Sequence, residues 1–280
     1  GFDKPFNQAP SLHIALLVVL WACYQRHLRG FWRGLMHLWF ALIGISVLTT
    51  WQHHFIDLPT GVLLGCLCVW LWPLDRPSPL RKARLTTDRK RWKLALCYGT
   101  GALISSLLAF GFKGGWLWLF WPAIALLLVA LNYALLGASG FQKGRDGRLS
   151  GAARWLLAPY LAAAWLNSRL WTRQHPQPDP VLDGLWLGRI PTRQELSASP
   201  FKAVLDLCAE LSLDPGPLAY HSLPVLDLIA PTPAQCLEAA QAIERLRRHG
   251  PLLVCCALGY SRSATAVAAW MLHSGRAANV

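Results

Sequence analysis

Apolar residues dominate the first half of the chain, in runs separated by short polar segments. Five such runs cover about residues 12–24, 34–51, 58–74, 94–112 and 116–137. Most of them approach the roughly 20 apolar residues that a helix needs to cross the hydrocarbon core of a bilayer. The pattern therefore predicts an all-α polytopic membrane domain with about five spans in residues 1–150.

The apolar segment 151–171 differs from these runs because it carries Arg154, Pro159, Asn167 and Arg169. Charged side chains at the middle of a bilayer are costly, so the composition favours a helix that lies in the interface over one that crosses. The proline-rich stretch His175–Pro180 follows and is typical of a linker. We therefore expect residues 151–180 to connect two domains.

From residue 181 onward, short apolar runs alternate with amphipathic ones, which predicts an α/β domain over residues 181–280. Thr232-Pro233 is a typical helix start and Gly250 a typical stop. The predicted strands are Leu185–Leu187, Phe201–Leu207, His221–Leu226 and Pro251–Cys255, and the predicted helices run from Thr232 to Arg248 and from Arg262 onward.

Composition supports this division of the chain. The mean hydropathy of +0.32 is too high for an ordinary soluble domain, and five of the 14 acidic residues precede residue 150. The net charge of +13 resides in Lys and Arg of short loops between apolar runs, which is the positive-inside pattern rather than a nucleic-acid-binding face. Eight scattered cysteines match neither a zinc site nor a disulfide framework, so we expect no metal, no cofactor and a reducing compartment for the second half.

The basic loops also orient the predicted spans. They lie between the first and second runs, between the third and fourth, and after the fifth, where Lys143, Arg145 and Arg148 follow. This alternation places all three loops and the α/β domain in the cytoplasm, with the segments around residues 13 and 53–57 outside it. We expect an integral membrane protein, of the bacterial inner membrane. The start at Gly1 and the end at Val280 suggest that the sequence is a piece of a longer protein.

The segment Cys256–Ser263, CALGYSRS, has the pattern of a phosphate-binding loop with its own nucleophile. A loop between a buried strand and a helix start directs backbone N–H groups at one point, where a phosphate would bind through residues Ala257, Leu258, Gly259, Tyr260, Ser261 and Arg262. The same field lowers the pKa of a thiol. Arg262 can bind two phosphate oxygens at once, and Ser263 offers a hydroxyl beside the sulfur.

This segment resembles the signature of cysteine-dependent phosphatases, and residues 181–280 are similar to dual-specificity phosphatases. The resemblance implies that Cys256 attacks phosphorus, Arg262 holds the phosphate oxygens, and Ser263 helps the thiolate to leave. It also implies that Asp227, 29 residues before Cys256, is the general acid and later the base. The chain departs from the family at Cys255, where a histidine is usual. The alternative is a pseudophosphatase that binds phosphorylated ligands without turnover.

A second group of residues lies at the predicted outer face of the membrane. Pro10–His13 and Ser46–Asp57 resemble the second and third motifs of the type 2 phosphatidic acid phosphatase superfamily, in particular its lipid phosphotransferases. The resemblance implies a nucleophilic His53, an Asp57 that orients it, and a His13 that protonates the leaving group. The expected substrates are phosphorylated lipids, or phosphoproteins at the other domain, and the expected partners are membrane lipids and no nucleic acid.

This second resemblance has departures and alternatives. Hydrolytic members carry an arginine where this chain has Val47, and the basic first motif is missing. The membrane domain is therefore either a lipid phosphatase or an enzyme that transfers a headgroup between lipids. Another interpretation makes Trp51, His53 and His54 residues of an interfacial belt, without a catalytic role.

Overall fold

The computed structural model describes residues 10–50, 57–182 and 184–277. These form two compact units, Gly1–Arg81 with Gly151–Leu156 and Lys82–Ser150 with Leu157–Val280. The α-helices are α1 (Leu12–Tyr24), α2 (Gly30–Thr49), α3 (Asp57–Leu71), α4 (Arg89–Phe112), α5 (Phe120–Leu131), α6 (Gly151–Leu156), α7 (Ala158–Trp171), α8 (Arg193–Ser197), α9 (Pro233–Leu246) and α10 (Arg262–His273). The strands are β1 (Asp179–Leu182), β2 (Leu185–Arg189), β3 (Ala203–Cys208), β4 (Ala219–Val225) and β5 (Leu252–Cys256).

Shorter helical segments complete the description. Residues Pro79–Lys82, Gly114–Leu119, Gly137–Phe141 and Arg247–His249 are 3-10 turns, and Asn132–Leu136 is a π-helical turn.

The prediction of about five membrane spans was wrong in its count. Within the described residues, three helical segments are long and apolar enough to cross a membrane: Gly30–Thr49, Arg89–Phe112 and Gly114–Phe141. The other two predicted spans are α1 and α3, helices of 13 and 15 residues. At 1.5 Å per residue they are about 20 and 22 Å long, against roughly 30 Å of hydrocarbon. Hydropathy does not detect that α3 ends before Pro73, whose ring disfavours a helix in the preceding residue.

In the first unit, α1 and α3 pack closely because two glycines of α3 face the α1 backbone. A Cβ atom on Gly61 would lie 2.7 Å from the carbonyl oxygen of Ser11, and one on Gly65 would lie 2.7 Å from that of Ala15. Small residues four positions apart allow this approach of two helices. As a result, the N–H of Ser11 donates to the carbonyl oxygen of Asp57 at 3.3 Å.

In the second unit, α4 and α5 pack along each other and an aromatic cluster joins them to α7. Asp88 caps α4 by accepting a hydrogen bond from the N–H of Lys90 at 2.7 Å. The Tyr98 ring of α4 stacks on the Tyr133 ring, with centroids 5.5 Å apart, and meets the Tyr160 ring of α7 edge-on at 5.8 Å.

The carboxyl-terminal part of the second unit is a five-stranded sheet with the order β1-β2-β5-β3-β4. β2, β5, β3 and β4 are parallel, and β1 is antiparallel to β2. All four predicted strands and both predicted helices are confirmed. Thr232 caps α9 and forms a capping box with Gln235. β1, in contrast, begins at Asp179 within the stretch predicted as a linker.

Alternate residues of the central strand β5 face different layers. Leu252, Val254 and Cys256 belong to a core that α9 and α10 cover, with Trp270 fully buried in it. Leu253 and Cys255 belong to a second core on the opposite face. Ala164 of α7 packs against that second core, so α7 covers a face of the sheet.

The loop that follows the third candidate span is part of the same folded unit. The side chain of Lys143, one of the loop charges, is fully buried and forms an ion pair with Asp206 of β3. Its ammonium group also donates to the carbonyl oxygens of Cys208 and Leu211, each at 2.7 Å. Further along the loop, Arg148 donates to the carboxylate of Asp214 at 2.8 Å. The loop 143–149 is therefore bound to the sheet through a buried charge.

Candidate phosphatase site

The site lies at the carboxyl end of β5, where the strand passes through a short loop into α10. Cys256 is the last residue of β5 and Arg262 is the first residue of α10. The N-terminus of a helix carries unpaired N–H groups and a positive partial charge, so it favours a bound anion. The strand, loop and helix that the motif requires are thus present, and the loop consists of residues 257–261.

The Cys256 sulfur is buried and has two close polar neighbours. The N–H of Gly259 donates to Sγ at 3.3 Å, and the hydroxyl oxygen of Ser263 lies 3.2 Å from the sulfur. Gly259 has a φ of +85°, and a Cβ atom there would lie 2.7 Å from the carbonyl carbon of Gly188 in β2. The loop therefore needs glycine at this position both for its backbone conformation and for its contact with β2.

Arg262 is buried, and two carboxylates bind its guanidinium group. Nη1 and Nη2 donate to the two carboxylate oxygens of Glu210 at 2.9 and 2.7 Å. Nη2 also donates to Oδ1 of Asp227 at 2.8 Å, and Nη1 to the carbonyl oxygen of Val225 at 2.8 Å. The structure thus brings together Asp227 and Arg262, two of the predicted site residues. The sequence interpretation missed Glu210, whose only signal is an acidic residue two positions after a buried strand.

These contacts shift the pKa values of the three charged groups. Burial raises the pKa of Asp227, Arg262 opposes this change, and Glu210 adds to it. Burial alone would raise the pKa of Glu210, but the charge and hydrogen bonds of Arg262 hold it below its usual value. Burial would lower the pKa of Arg262, but Glu210 raises it well above its ordinary value. Glu210 and Arg262 therefore form a charged pair, and Asp227 binds its proton more tightly than an exposed aspartate.

Helical segments outside the sheet hold both loops of the site. The hydroxyl of Ser168 in α7 donates to the carbonyl oxygen of Ala257 at 2.6 Å. The hydroxyl of Tyr133 donates to the carbonyl oxygen of Asp227 at 3.0 Å. Leu228, next to Asp227, has a φ of +58°, which is uncommon for a residue other than glycine. Tyr133 belongs to the third candidate span, so this span contacts the loop of the predicted acid directly.

The remaining predicted phosphate-binding residues follow the course of the loop. Ala257 and Gly259 are buried, Leu258 is partly buried, and Tyr260 and Ser261 are exposed. Cys255, which stands where the resembling family usually has histidine, is buried on the opposite face of β5 from Cys256. Burial raises the pKa of the Cys255 thiol well above its ordinary value, and Asp206 adds to this effect. The two neighbouring thiols therefore have different surroundings.

The structure describes two of the three predicted catalytic residues of the second site. Asp57 is buried at the start of α3, and His13 is exposed in the first turn of α1. The contact between Ser11 and Asp57 brings these two helix starts side by side. His53, the predicted nucleophile, and its neighbours Trp51 and His54 lie outside the described residues. In the part of the chain that the structure describes, no group of three or more metal-binding side chains is assembled.

Three features together are typical of a cysteine-dependent phosphatase domain. They are the buried thiol at a strand end, the arginine at the start of the next helix and the acid on a neighbouring loop. Residues 189–276 match a family model described as "Tc-R-P: Polymorphic toxin system, DSP-PTPase phosphatase". This part of the chain is thus a phosphatase domain of the dual-specificity type. Among solved structures, a mutant form of Tk-PTP is 31% identical, with 36% of this chain and 75% of that chain covered and a TM-score of 0.34. A search of curated protein sequences finds no match.

Proposed function

We propose that the domain hydrolyses phosphomonoesters through a phosphocysteine intermediate. The observation that carries this proposal is the arrangement around Arg262, whose guanidinium group binds the predicted acid Asp227 and begins the helix that follows Cys256. An incoming phosphate would replace Asp227 as a partner of Arg262. The carboxyl group of Asp227 would then be free to face the ester oxygen, while Glu210 keeps the guanidinium group in position.

In the first step the Cys256 thiolate attacks phosphorus and the bond from phosphorus to the ester oxygen breaks. Asp227, whose pKa is raised by burial, gives a proton to the leaving oxygen. In the second step Asp227 accepts a proton from a water molecule, whose oxygen attacks the phosphocysteine. Inorganic phosphate leaves and the thiolate returns. Ser263, whose hydroxyl lies 3.2 Å from Sγ, stabilises that thiolate by a hydrogen bond.

The 280-residue chain in detergent provides the test, with phenyl phosphate as substrate. Cys256→Ser should reduce turnover by about a thousandfold or more, because it removes the nucleophile of the covalent step. Cys236→Ser, at a partly buried cysteine of α9, is the matched control and should retain activity. If the wild-type chain binds inorganic phosphate but does not turn over phenyl phosphate, the domain is a binding module and the proposal fails.

We also propose a location and a second activity for the helical region. The protein is integral to the membrane, the bacterial inner membrane being expected, with the phosphatase domain in the cytoplasm. The contact that joins Ser11 to Asp57 supports a lipid phosphate site outside it, because it brings the starts of α1 and α3 together. There His53 would accept the phosphoryl group, Asp57 would orient it, and His13 would protonate the leaving group.

This second activity can be measured on lipid phosphate, with and without an acceptor alcohol. His53→Ala should abolish product, and His54→Ala is the matched control because it removes a neighbouring imidazole. Product that requires the alcohol would identify a phosphotransferase rather than a hydrolase. Full activity of His53→Ala would refute the triad. A tag after residue 280 that can be labelled from outside intact cells would refute the cytoplasmic placement of the domain.

A further inference from the structure

A cavity of about 410 Å³ lies beside the phosphatase loop, within the second compact unit. Its volume is in the range of small-molecule binding sites. Its lining includes Tyr98 of α4, Pro122 and Leu126 of α5, Ala163 of α7, and Asp227 and Ala257 of the loops at the proposed site. The cavity therefore adjoins the proposed site.

One end of the cavity carries the groups that handle phosphate. Glu210 and Asp227 both bind Arg262, and Ala257 follows the predicted nucleophile. The positive charge of Lys90, at the start of α4, acts to lower the pKa of Asp227. The end of the cavity nearest the catalytic loop thus combines acid, phosphate-binding loop and a nearby positive charge.

The other end is apolar and extends along the candidate spans. Pro122 and Leu126 line it from α5, and Ala163 lines it from α7. Along α5, the residues that line the cavity run from Pro122 to Leu126, which is about 6 Å at 1.5 Å per residue. Tyr133, which binds the acid loop, follows in the same helical segment. The apolar part of the wall is therefore formed by helices and not by the loops of the site.

The position of the cavity along α4 indicates its depth in a membrane. Basic residues occupy the first turns of this helix, from Arg89 to Lys93, and Tyr98 follows little more than one turn later. This order of residues, basic ones first and then tyrosine, is typical of a span that passes from the headgroups into the hydrocarbon. The phosphate-handling end would thus lie near the headgroups, and the apolar end would lie at the depth of acyl chains.

We propose that the substrate of the cysteine site is a lipid phosphomonoester, bound with its phosphate at the loop and an acyl chain along α5 and α7. This inference rests on the phosphatase activity proposed above. A phosphopeptide fits less well. The polypeptide on either side of its phosphorylated residue would have to lie against the apolar helices of the candidate spans, because these helices form the wall there. The observations favour a lipid because a phosphate-binding loop and an apolar wall belong to one cavity.

The experiment compares two substrates with the 280-residue chain in phosphatidylcholine vesicles. One substrate is phosphatidate in the same vesicles, and the other is water-soluble phenyl phosphate. Leu126→Trp fills the apolar end of the cavity, and we expect it to reduce phosphatidate hydrolysis at least tenfold while phenyl phosphate hydrolysis changes less than twofold. Leu127→Trp is the matched control, because Leu127 is the next residue of α5, is 50% exposed and does not line the cavity.

Each outcome has a defined meaning. Equal loss of phosphatidate hydrolysis in both tryptophan variants, or no loss in Leu126→Trp, would overturn the proposal. If Leu126→Trp also loses phenyl phosphate hydrolysis, Ala163→Phe fills the same end from α7 and is judged by the same criteria. Phosphatidate hydrolysis that survives Cys256→Ser but not His53→Ala would assign lipid chemistry to the other centre and refute the inference.

The proposed function and the inference fail in different ways. A wild-type chain that cleaves phenyl phosphate through Cys256, but cleaves a phosphotyrosyl peptide faster than phosphatidate, would keep the proposed function and overturn the lipid substrate. A wild-type chain that cleaves neither phenyl phosphate nor phosphatidate would overturn both.

Discussion

Replacing Glu210 by glutamine removes a buried negative charge from beside Arg262 while the side chain keeps nearly the same size. Glu210 and Asp227 accept hydrogen bonds from the same nitrogen of Arg262. In the wild-type chain the charge of Glu210 raises the pKa of Asp227, and Arg262 lowers it. In Glu210→Gln the first effect is lost and Arg262 is left with one carboxylate. The pKa of Asp227 should therefore fall.

The geometry sets the size of this change. Because the two carboxylate oxygens lie 2.7 and 2.8 Å from one nitrogen, they are at most about 5.5 Å apart. Two unit charges at that separation interact by about 3 kcal/mol at an effective dielectric constant of 20, and by about 0.8 kcal/mol in water. The protonated form of Asp227 therefore loses about 0.8 to 3 kcal/mol of its relative stability in Glu210→Gln, and its pKa falls.

The assay is the pH dependence of kcat/KM, which reports the free enzyme, with phenyl phosphate because its poor leaving group needs a proton. A general acid must be protonated, so activity falls as the pH rises through its pKa. The alkaline limb of the profile should move to lower pH in Glu210→Gln. Glu238→Gln, at a largely exposed glutamate of α9, should leave it in place. A limb that stays or moves upward would refute the assignment of Asp227 as the acid under the influence of Glu210.

Three further changes test other contacts. Lys143→Met should lower the free energy of unfolding by about 3–5 kcal/mol, because it leaves the buried carboxylate of Asp206 without its cation. Thermal denaturation of the 280-residue chain checks this, and Asp206→Asn in the same chain should restore part of the loss. Tyr133→Phe should lower kcat about twofold to tenfold by removing a hydrogen bond to the acid loop, and an unchanged kcat would contradict it. Gly259→Ala should cost at least tenfold in kcat/KM, because its Cβ would meet the backbone of β2, and wild-type kinetics would show that the loop adapts.

The parts of the domain that sequence predicts correctly are those whose signals are local. The start of α9 is marked by a capping box that lies within four residues. Thr232 is the N-cap, proline follows it, and Gln235 is at the third helical position. The apolar run before Cys256 and the arginine six positions later similarly predict β5, the loop and α10. Each of these signals depends on near neighbours in the chain.

The features that sequence misses depend on residues that are distant in the chain. Lys143 pairs with Asp206, 63 residues away, and only the fold shows that its charge is buried. Glu210 and Arg262 are 52 residues apart, and an acid after a strand is too common to mark such a partner. The span count failed for a different reason, because hydropathy measures composition and not where a helix ends.

The loop 143–149 affects how this domain can be produced and how it can mature. A fragment that begins at residue 181 would lack Lys143. The buried carboxylate of Asp206, which also accepts a hydrogen bond from the Tyr220 hydroxyl, would then have no ammonium group beside it. During synthesis, the lysine leaves the ribosome before the strand that receives it. The sheet can therefore complete its core only after the segment that carries Lys143 has been made, so the candidate spans are synthesised before the phosphatase fold is complete.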